Sequence, residues 1–235
     1  MYEFVTIRLV NFILNICMKK SLKRIILLGL ILIFGYLIYL NHLVKGAFSS
    51  EIQESNNITR IENSLETYPT EMVNMLLLVE DQSFFQHWGV DFKEIARVFY
   101  GYLFEDKPIR GASTITQQLI KNTLLSSDKT LSRKMDEALM ALLMELNYDK
   151  NYILERYMNT VYLAQKGSIA VHGFTSASQF YFGNQVEDLD LREMATLVAL
   201  LKGPSYYHPV RHPDRLNQRV DMILSMHNKY KKIIQ

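Results

Sequence analysis

The chain has 235 residues, of which 49% are hydrophobic, and a formal net charge of +2. This length fits one globular domain with a short appendage, and so small a charge gives no argument for binding nucleic acid. The single cysteine, Cys17, lies near the N-terminus, so the rest of the chain needs no disulfide.

An uncharged apolar run covers residues 25–40, and its apolar character continues to Val44. This length is close to the ~20 residues that a helix needs to cross a bilayer. The basic residues at positions 19–24 predict that the N-terminus stays in the cytoplasm. No cleavage site of small residues follows, which favours a retained single-pass anchor over a removed signal peptide. The alternative, a buried core helix, explains the basic flank poorly.

These features divide the sequence into four predicted parts. They are a cytoplasmic basic segment of residues 1–24, a transmembrane anchor of residues 25–44, a linker of residues 45–68 and a globular domain of residues 69–235. The linker is assigned because this stretch is polar and rich in serine, asparagine and glutamate. Met18 and the lysines after it are typical of the start of a signal anchor, so translation could begin at Met1 or Met18.

Apolar periodicity and capping residues predict that the globular domain is all-α. We expect helices at residues 69–80, 92–104, 114–125, 131–148, 151–163, 174–181 and 191–201. Thr114 and Gln117 match a capping box at the start of the third helix. No run alternates convincingly between apolar and polar residues, so no strand is predicted.

The helix of residues 131–148 carries the clearest apolar stripe, which we expect to face the core. The stripe consists of Leu131, Met135, Ala138, Leu139, Leu142, Leu143 and Leu146. Arg133 and Glu137 are not part of it, so we expect them to lie off the core side. They form either a surface ion pair worth under ~1 kcal/mol or, with Lys134 beside them, a site with cations for a pyrophosphate and a second carboxylate.

Glu80 ends the first predicted helix, and four apolar residues lead up to it. This apolar approach suggests partial desolvation of the carboxylate, which makes it a better general base. The alternative is a surface acid at a helix end. Asp81, His87 and Trp88 argue against that alternative, because a plain helix end does not need so many polar and aromatic groups.

Thr114, Gln118 and Lys121 are spaced to share one face of their helix. With the amides at the helix start, this face could bind phosphate or sugar hydroxyls, although a solvated face explains it equally well. Lys202 ends the last predicted helix, where a cation is favourable in any case. The histidines lack the spacing of metal ligands, so we assign no zinc site.

Four ordered motifs lie within about residues 69–222. The first, E-D-x-x-F-x-x-H-x-G, is carried by Glu80, Asp81, Phe84, His87 and Gly89. The second, G-x-S-T-I-x-Q-Q-x-x-K-N, is carried by Gly111, Ser113, Thr114, Ile115, Gln117, Gln118, Lys121 and Asn122. The third, R-K-x-x-E, is carried by Arg133, Lys134 and Glu137. The fourth, I-L-E-x-Y-x-N-x-x-Y, is carried by Ile153, Leu154, Glu155, Tyr157, Asn159 and Tyr162. Together these motifs resemble glycosyltransferase family 51, the peptidoglycan glycosyltransferases.

The resemblance implies a lysozyme-like helical fold with a smaller, membrane-apposed lobe. It also implies a reaction in which the 4-hydroxyl of N-acetylglucosamine in lipid II attacks the anomeric carbon of N-acetylmuramic acid in the growing chain. Undecaprenyl pyrophosphate then leaves, and the anomeric centre inverts. The implied partners are lipid II, the lipid-linked glycan, the cytoplasmic membrane and a cell-wall synthesis complex, with the catalytic domain on the outer side of that membrane.

The resemblance also implies roles for the motif residues. Glu80 would be the base, and Glu137 would be the second catalytic carboxylate. The pyrophosphates would be held or neutralised by Glu137, Lys121, Arg133 and Lys202. Thr114, Gln117 and Gln118 would orient the donor. Further substrate contacts would come from Asp81, Phe84, His87, Ser113, Asn122 and Lys134. A divalent cation, Mg²⁺ or alternatively Mn²⁺, would share the pyrophosphate charge, with Asp81 as a candidate ligand.

One departure from the family pattern narrows the resemblance. After Tyr162 the chain has a longer segment than the usual Gly-rich turn, and Ala164 replaces a usual glycine. This segment is most similar to the transferase domain of bifunctional class A penicillin-binding proteins. Because the chain ends at Gln235, without room for a transpeptidase domain, we expect a monofunctional transferase or a truncated relative of the bifunctional enzymes.

Two rival functions stay open. A lysozyme-like hydrolase would also use carboxylates near a glycosidic bond, but it would not need the cations, because its leaving group is a sugar hydroxyl. An inactive scaffold of a cell-wall complex would have no need for the full set of acids.

Overall fold

The structure is a computed structural model that describes residues 2–49, 63–106, 111–126, 128 and 130–234. The chain divides into two compact units, residues 1–43 and residues 44–235. Each unit is described by itself.

The first unit lies within a long helix, α1, which runs Tyr2–Phe48. Its stretch Lys20–Phe48 is long and apolar enough to cross a membrane. Leucine, isoleucine and phenylalanine side chains such as Leu27, Ile31 and Phe34 are exposed along it. The predicted apolar helix of membrane-spanning length is therefore confirmed, whereas its orientation stays a prediction.

The second unit is built mainly from eight further helices among the described residues. They are α2 (Thr70–Glu80), α3 (Phe92–Phe104), α4 (Ile115–Leu124), α5 (Leu131–Asn147), α6 (Lys150–Thr160), α7 (Phe174–Tyr181), α8 (Leu191–Leu200) and α9 (Pro213–Ile234). Side-chain caps fix the starts of five of them, from Asp91, Thr114, Thr130, Asp149 and Asp190. The all-α prediction is confirmed for the described chain, and the capping box of Thr114 and Gln117 is present.

A short antiparallel hairpin corrects the expectation that the chain has no strand. Strand β1 (Tyr162–Lys166) pairs with β2 (Ile169–His172), and Ala164 lies opposite Val171. Gly167 has a φ of +61° in the tight connection, a conformation that glycine adopts without strain. Each strand is too short for an alternating pattern to be recognised, and the longer segment noted after Tyr162 is this hairpin.

The core is centred on α8, which packs against α2 and α9. Six of its ten residues are buried: Met194, Ala195, Leu197, Val198, Ala199 and Leu200. From α9, Leu216, Val220 and Ile223 are buried against it. The sequence prediction misses α9, because its apolar stripe is narrow and the rest of the helix is strongly polar.

The predicted core face of α5 is wrong. The buried residues of this helix are Glu137, Met140, Ala141 and Met144. Leu131, Met135 and Leu146 from the predicted stripe are 79%, 60% and 69% exposed. Arg133 and Glu137 therefore do not form a surface pair off the core side, since Glu137 lies on the inner face and is only 1% exposed. Hydrophobic periodicity cannot find a face that has a buried acid in its middle.

Residues 63–68 lead into α2 and are hydrogen-bonded to α6. The amide N–H of Leu65 donates to Glu155 at 2.8 Å, and the Tyr68 hydroxyl donates to Asn159 at 2.8 Å. Burial raises the pKa of Tyr68 to about 12, so its hydroxyl stays a donor at ordinary pH. Two residues of the fourth motif, Glu155 and Asn159, thus fix the chain that precedes Glu80.

Candidate active site

A cleft of about 510 Å³ lies where the end of α2, the start of α3 and the segment before α4 meet. Met226 of α9 also lines it. The polar side chains around the cleft are Glu80, Asp81, Gln82, Ser83, Gln86, Asp91, Lys93, Glu94, Arg97, Ser113 and Thr114. An equally large hollow along α9 contains no motif residue. The cleft is therefore the candidate active site.

Glu80 is half-buried at the C-terminal end of α2. The side-chain amide of Gln118, on α4, donates to one of its oxygens, Oε2, at 2.9 Å. The amide oxygen of Gln118 in turn accepts from the hydroxyl of Tyr157, on α6, at 3.2 Å. The carboxylate that the sequence predicts to be the base thus lines the cleft and is connected to two other helices.

Asp81 is buried and holds the end of α2 against the start of α4. It accepts hydrogen bonds from the amide N–H of Ile115 at 3.0 Å and from His87 Nε2, which lies 3.0 Å from both carboxylate oxygens. The other ring nitrogen of His87, Nδ1, is buried without a partner among the described residues. Because both oxygens of Asp81 are engaged inside the protein, this side chain fixes the backbone next to Glu80.

Thr114 and Gln117 are also buried, and their side chains are hydrogen-bonded inside the protein. In the capping box of α4, the side-chain oxygen of each residue accepts from the backbone N–H of the other. The Thr114 hydroxyl also donates to the carbonyl of Gly89 at 2.5 Å. Gly89 has a φ of +79°, and a Cβ there would lie 2.4 Å from the carbonyl oxygen of Ala141. No other residue fits this position, which brings the first motif against both α4 and α5.

The third motif forms a charge cluster around the buried Glu137. Arg133 Nη1 donates to Glu137 at 3.2 Å, and Lys134 Nζ donates to the other oxygen of the same carboxylate. Lys134 also donates to Ser113 at 2.8 Å, which connects the cluster to a residue of the cleft wall. The side chain of Lys134 is 44% exposed, that of Arg133 is 18% exposed and that of Glu137 is 2% exposed.

The remaining motif residues lie in different surroundings. Phe84 is 1% exposed, and Lys150 Nζ lies 4.4 Å from its ring centroid, so the ring packs inside the protein. Lys121, Asn122 and Lys202 are exposed and do not line the cleft. The structure therefore brings Glu80, Asp81, Ser113 and Thr114 together in the cleft wall, but it does not bring Lys121 or Lys202 into it.

Sequence reasoning misses two cations of the cleft, Lys93 and Arg97. They lie four residues apart on α3, a spacing that could have revealed a basic face on an otherwise apolar helix. It also misses Asp91, which caps α3. Although burial opposes it, hydrogen bonds from Ser83 and from the Glu94 amide lower the pKa of Asp91 from its usual value.

The described residues offer no preformed metal cage. No group of three or more histidine, cysteine, aspartate or glutamate side chains among them is arranged to hold a metal ion. Asp81, the candidate ligand, already binds His87 and the amide of Ile115. These residues do not fit a protein-held cation.

Comparison with known proteins agrees with the motifs. The transglycosylase family model matches residues 45–228. The chain is 41% identical over 180 residues to penicillin-binding protein 1B of Haemophilus influenzae, covering 77% of this chain and 23% of that protein. It is 45% identical over 161 residues to penicillin-binding protein 1B of Vibrio cholerae, covering 68% and 21%. It is 39% identical over 165 residues to penicillin-binding protein 1F of Bacillus subtilis, covering 70% and 22%.

The chain thus spans between a fifth and a quarter of the length of these relatives. The family match covers most of the second unit and includes all four motifs. The resemblance predicted from the motifs is confirmed, and the chain belongs to the transglycosylase family, glycosyltransferase family 51.

Proposed function

We propose that this protein is a peptidoglycan glycosyltransferase that joins lipid II into glycan strands and releases undecaprenyl pyrophosphate. The observation that carries the proposal is Glu80, a half-buried carboxylate in the wall of a 510 Å³ cleft, at the head of the first family motif. Membership of the transglycosylase family supports the reaction class.

In the proposed reaction, Glu80 takes the proton of the acceptor 4-hydroxyl as that oxygen attacks the anomeric carbon of the donor. The bond from this carbon to the pyrophosphate oxygen breaks, and the electron pair leaves with undecaprenyl pyrophosphate. A base on one side and a leaving group on the other produce inversion at the anomeric centre. General-base assistance of this kind contributes ~10²–10⁴-fold to rate.

The leaving group carries negative charge, so the site needs cations. Lys93 lines the cleft, as does Arg97, which forms an ion pair with Glu94, and Lys134 reaches Ser113 in the cleft wall. We assign the pyrophosphate to this side of the cleft. The exposed Lys121 and Lys202 are proposed to join it when substrate binds. A divalent cation stays a prediction, held through substrate phosphates rather than by a protein cage.

Membrane contact is proposed for α3 and the turn before it, which also line the cleft. These elements expose aromatic side chains to an extent that is unusual for a monomer in water. Phe85, Trp88, Phe92, Phe99 and Phe104 are each between 58% and 71% exposed. A surface of this kind suits a substrate whose lipid chain stays in the bilayer.

The test is to give the purified full chain labelled lipid II in phospholipid vesicles, with Glu80→Gln as the inactive control. We expect polymerised glycan and released undecaprenyl pyrophosphate. A protein that leaves lipid II unchanged but shortens finished glycan would be a hydrolase instead. A protein without either activity would contradict the proposal.

A further inference from the structure

Tyr157 carries a buried hydroxyl group that takes no part in the reaction proposed above. It lies on α6 and is 1% exposed, and it is not part of the cleft wall. Its hydroxyl lies 3.2 Å from the side-chain oxygen of Gln118 on α4. A buried hydroxyl needs a partner, and here its partner is the residue that touches Glu80.

Gln118 has two ends, and its two contacts require one orientation. Its oxygen accepts from Tyr157, and its NH₂ group donates to Glu80 at 2.9 Å. Turned by half a rotation, the amide would present its oxygen to the carboxylate, where two acceptors repel, and its NH₂ group to the Tyr157 hydroxyl. The carboxylate of Glu80 can only accept, so it fixes the NH₂ end of Gln118 towards itself, and the Tyr157 hydroxyl donates to the oxygen at the other end.

Tyr157 is available as a hydrogen-bond donor under working conditions. Burial raises its pKa well above the usual value of 10, and the charge of Glu80 raises it further. The hydroxyl consequently keeps its proton through the pH range in which an enzyme of this kind works.

We infer that Tyr157 is a positioning residue for the reaction proposed above: through Gln118 it holds the carboxylate of Glu80 in the orientation that meets the acceptor hydroxyl. Oε2 of Glu80 is bound by Gln118. Within the described part of the chain, Oε1 has no hydrogen-bond donor, which leaves it open to the acceptor. This inference rests on the proposed role of Glu80 as the base.

The first variant is Tyr157→Phe, which keeps the ring and removes only the hydroxyl. We expect kcat per folded molecule to fall roughly ten-fold, within the range of couplings between residues in one hydrogen-bond network. KM for lipid II should stay unchanged, because Tyr157 does not line the cleft. A purely structural role would lower the folded fraction but leave kcat per folded molecule intact.

The matched control is Tyr152→Phe on the same helix. The Tyr152 hydroxyl donates to the carbonyl of Phe48 at 2.5 Å and contacts neither Glu80 nor Gln118. We expect this variant to lose thermal stability and to keep its kcat. An equal fall of kcat in both variants would overturn the inference.

The second variant, Gln118→Met, tests the connection itself. Methionine fills a similar volume. It leaves the buried Tyr157 hydroxyl without its partner, so kcat is compared per folded molecule. We expect kcat to fall at least as far as in Tyr157→Phe, and we expect Tyr157→Phe to have no further effect in the Gln118→Met background. Full kcat in Gln118→Met, or effects that multiply in the double variant, would overturn the inference, whether or not Tyr157→Phe alone folds well.

The Glu80→Gln variant distinguishes a failure of the proposed function from a failure of the positioning role of Tyr157. If Glu80→Gln stays active, the proposed base is wrong and the positioning role falls with it. If Glu80→Gln is inactive while Tyr157→Phe has wild-type kcat, the proposed function stands and only the role of Tyr157 is overturned.

Discussion

Glu80 is half-buried beside a neutral amide, whereas Glu137 is buried between two cations. Both are carboxylates that the family motifs single out, yet their surroundings are opposite. One oxygen of Glu80 is open to whatever occupies the cleft. Both oxygens of Glu137 bind Arg133 and Lys134, and Glu137 does not line the cleft. Under the proposed function, Glu80 would meet the substrate hydroxyl and Glu137 would hold two cations in position.

The largest expected effect comes from Glu80→Gln, which tests the first half of this comparison. We expect a loss of polymerising activity of ~10²–10⁴-fold, because an amide cannot take the acceptor proton. The melting temperature should change little, since the side chain is half-exposed and nearly isosteric. Lipid II turnover and thermal unfolding measure the two, with the exposed Glu66→Gln as the matched control. Near wild-type turnover by Glu80→Gln would show that another group is the base.

Glu137→Gln should have the opposite profile, with its main effect on stability. Removing one partner of a buried ion pair is strongly destabilising. Because Lys134 is 44% exposed and stays partly solvated, we expect a loss near the low end of that range, roughly 3 kcal/mol. Urea unfolding measures the loss. Unchanged stability together with abolished turnover would assign Glu137 to the chemistry and remove the contrast with Glu80.

Arg133→Ala and Lys134→Ala sharpen the second half of the comparison, and each should cost less stability than Glu137→Gln. Each leaves Glu137 with one cation, so we expect about 1 kcal/mol for Lys134→Ala, and more for Arg133→Ala because the Arg133 side chain is 18% exposed. Lys134→Ala should also weaken lipid II binding, since it frees Ser113 in the cleft wall. Equal losses of stability in the two variants would mean that burial does not distinguish the two pairs.

Features that depend on neighbouring residues were predictable from the sequence. The helices Phe92–Phe104 and Phe174–Tyr181 begin and end at the predicted residues, and the Thr114–Gln117 capping box is formed. The inner face of α5 was not predictable, because the burial of Glu137 depends on cations that no hydrophobicity pattern records.

The hydrogen bonds that join Glu80, Gln118 and Tyr157 could also not be predicted from the sequence. Gln118 lies 38 residues from Glu80 and 39 residues from Tyr157 along the chain, and no spacing rule joins positions so far apart. The motifs placed Glu80 and Gln118 in the site, but only the packing of α2, α4 and α6 shows that they touch. Lys93 and Arg97 cannot be found in this way, because none of the four motifs includes them.

The wall of the cleft is completed by Met226, a residue close to the C-terminal end of the described chain. It lines the same cavity as Glu80, yet it belongs to α9, the last described helix. Because synthesis starts at the N-terminus, Glu80 leaves the ribosome long before the helix that completes its surroundings. The nascent chain therefore carries Glu80 without a finished cleft, and the cleft is complete only when α9 has packed on α8.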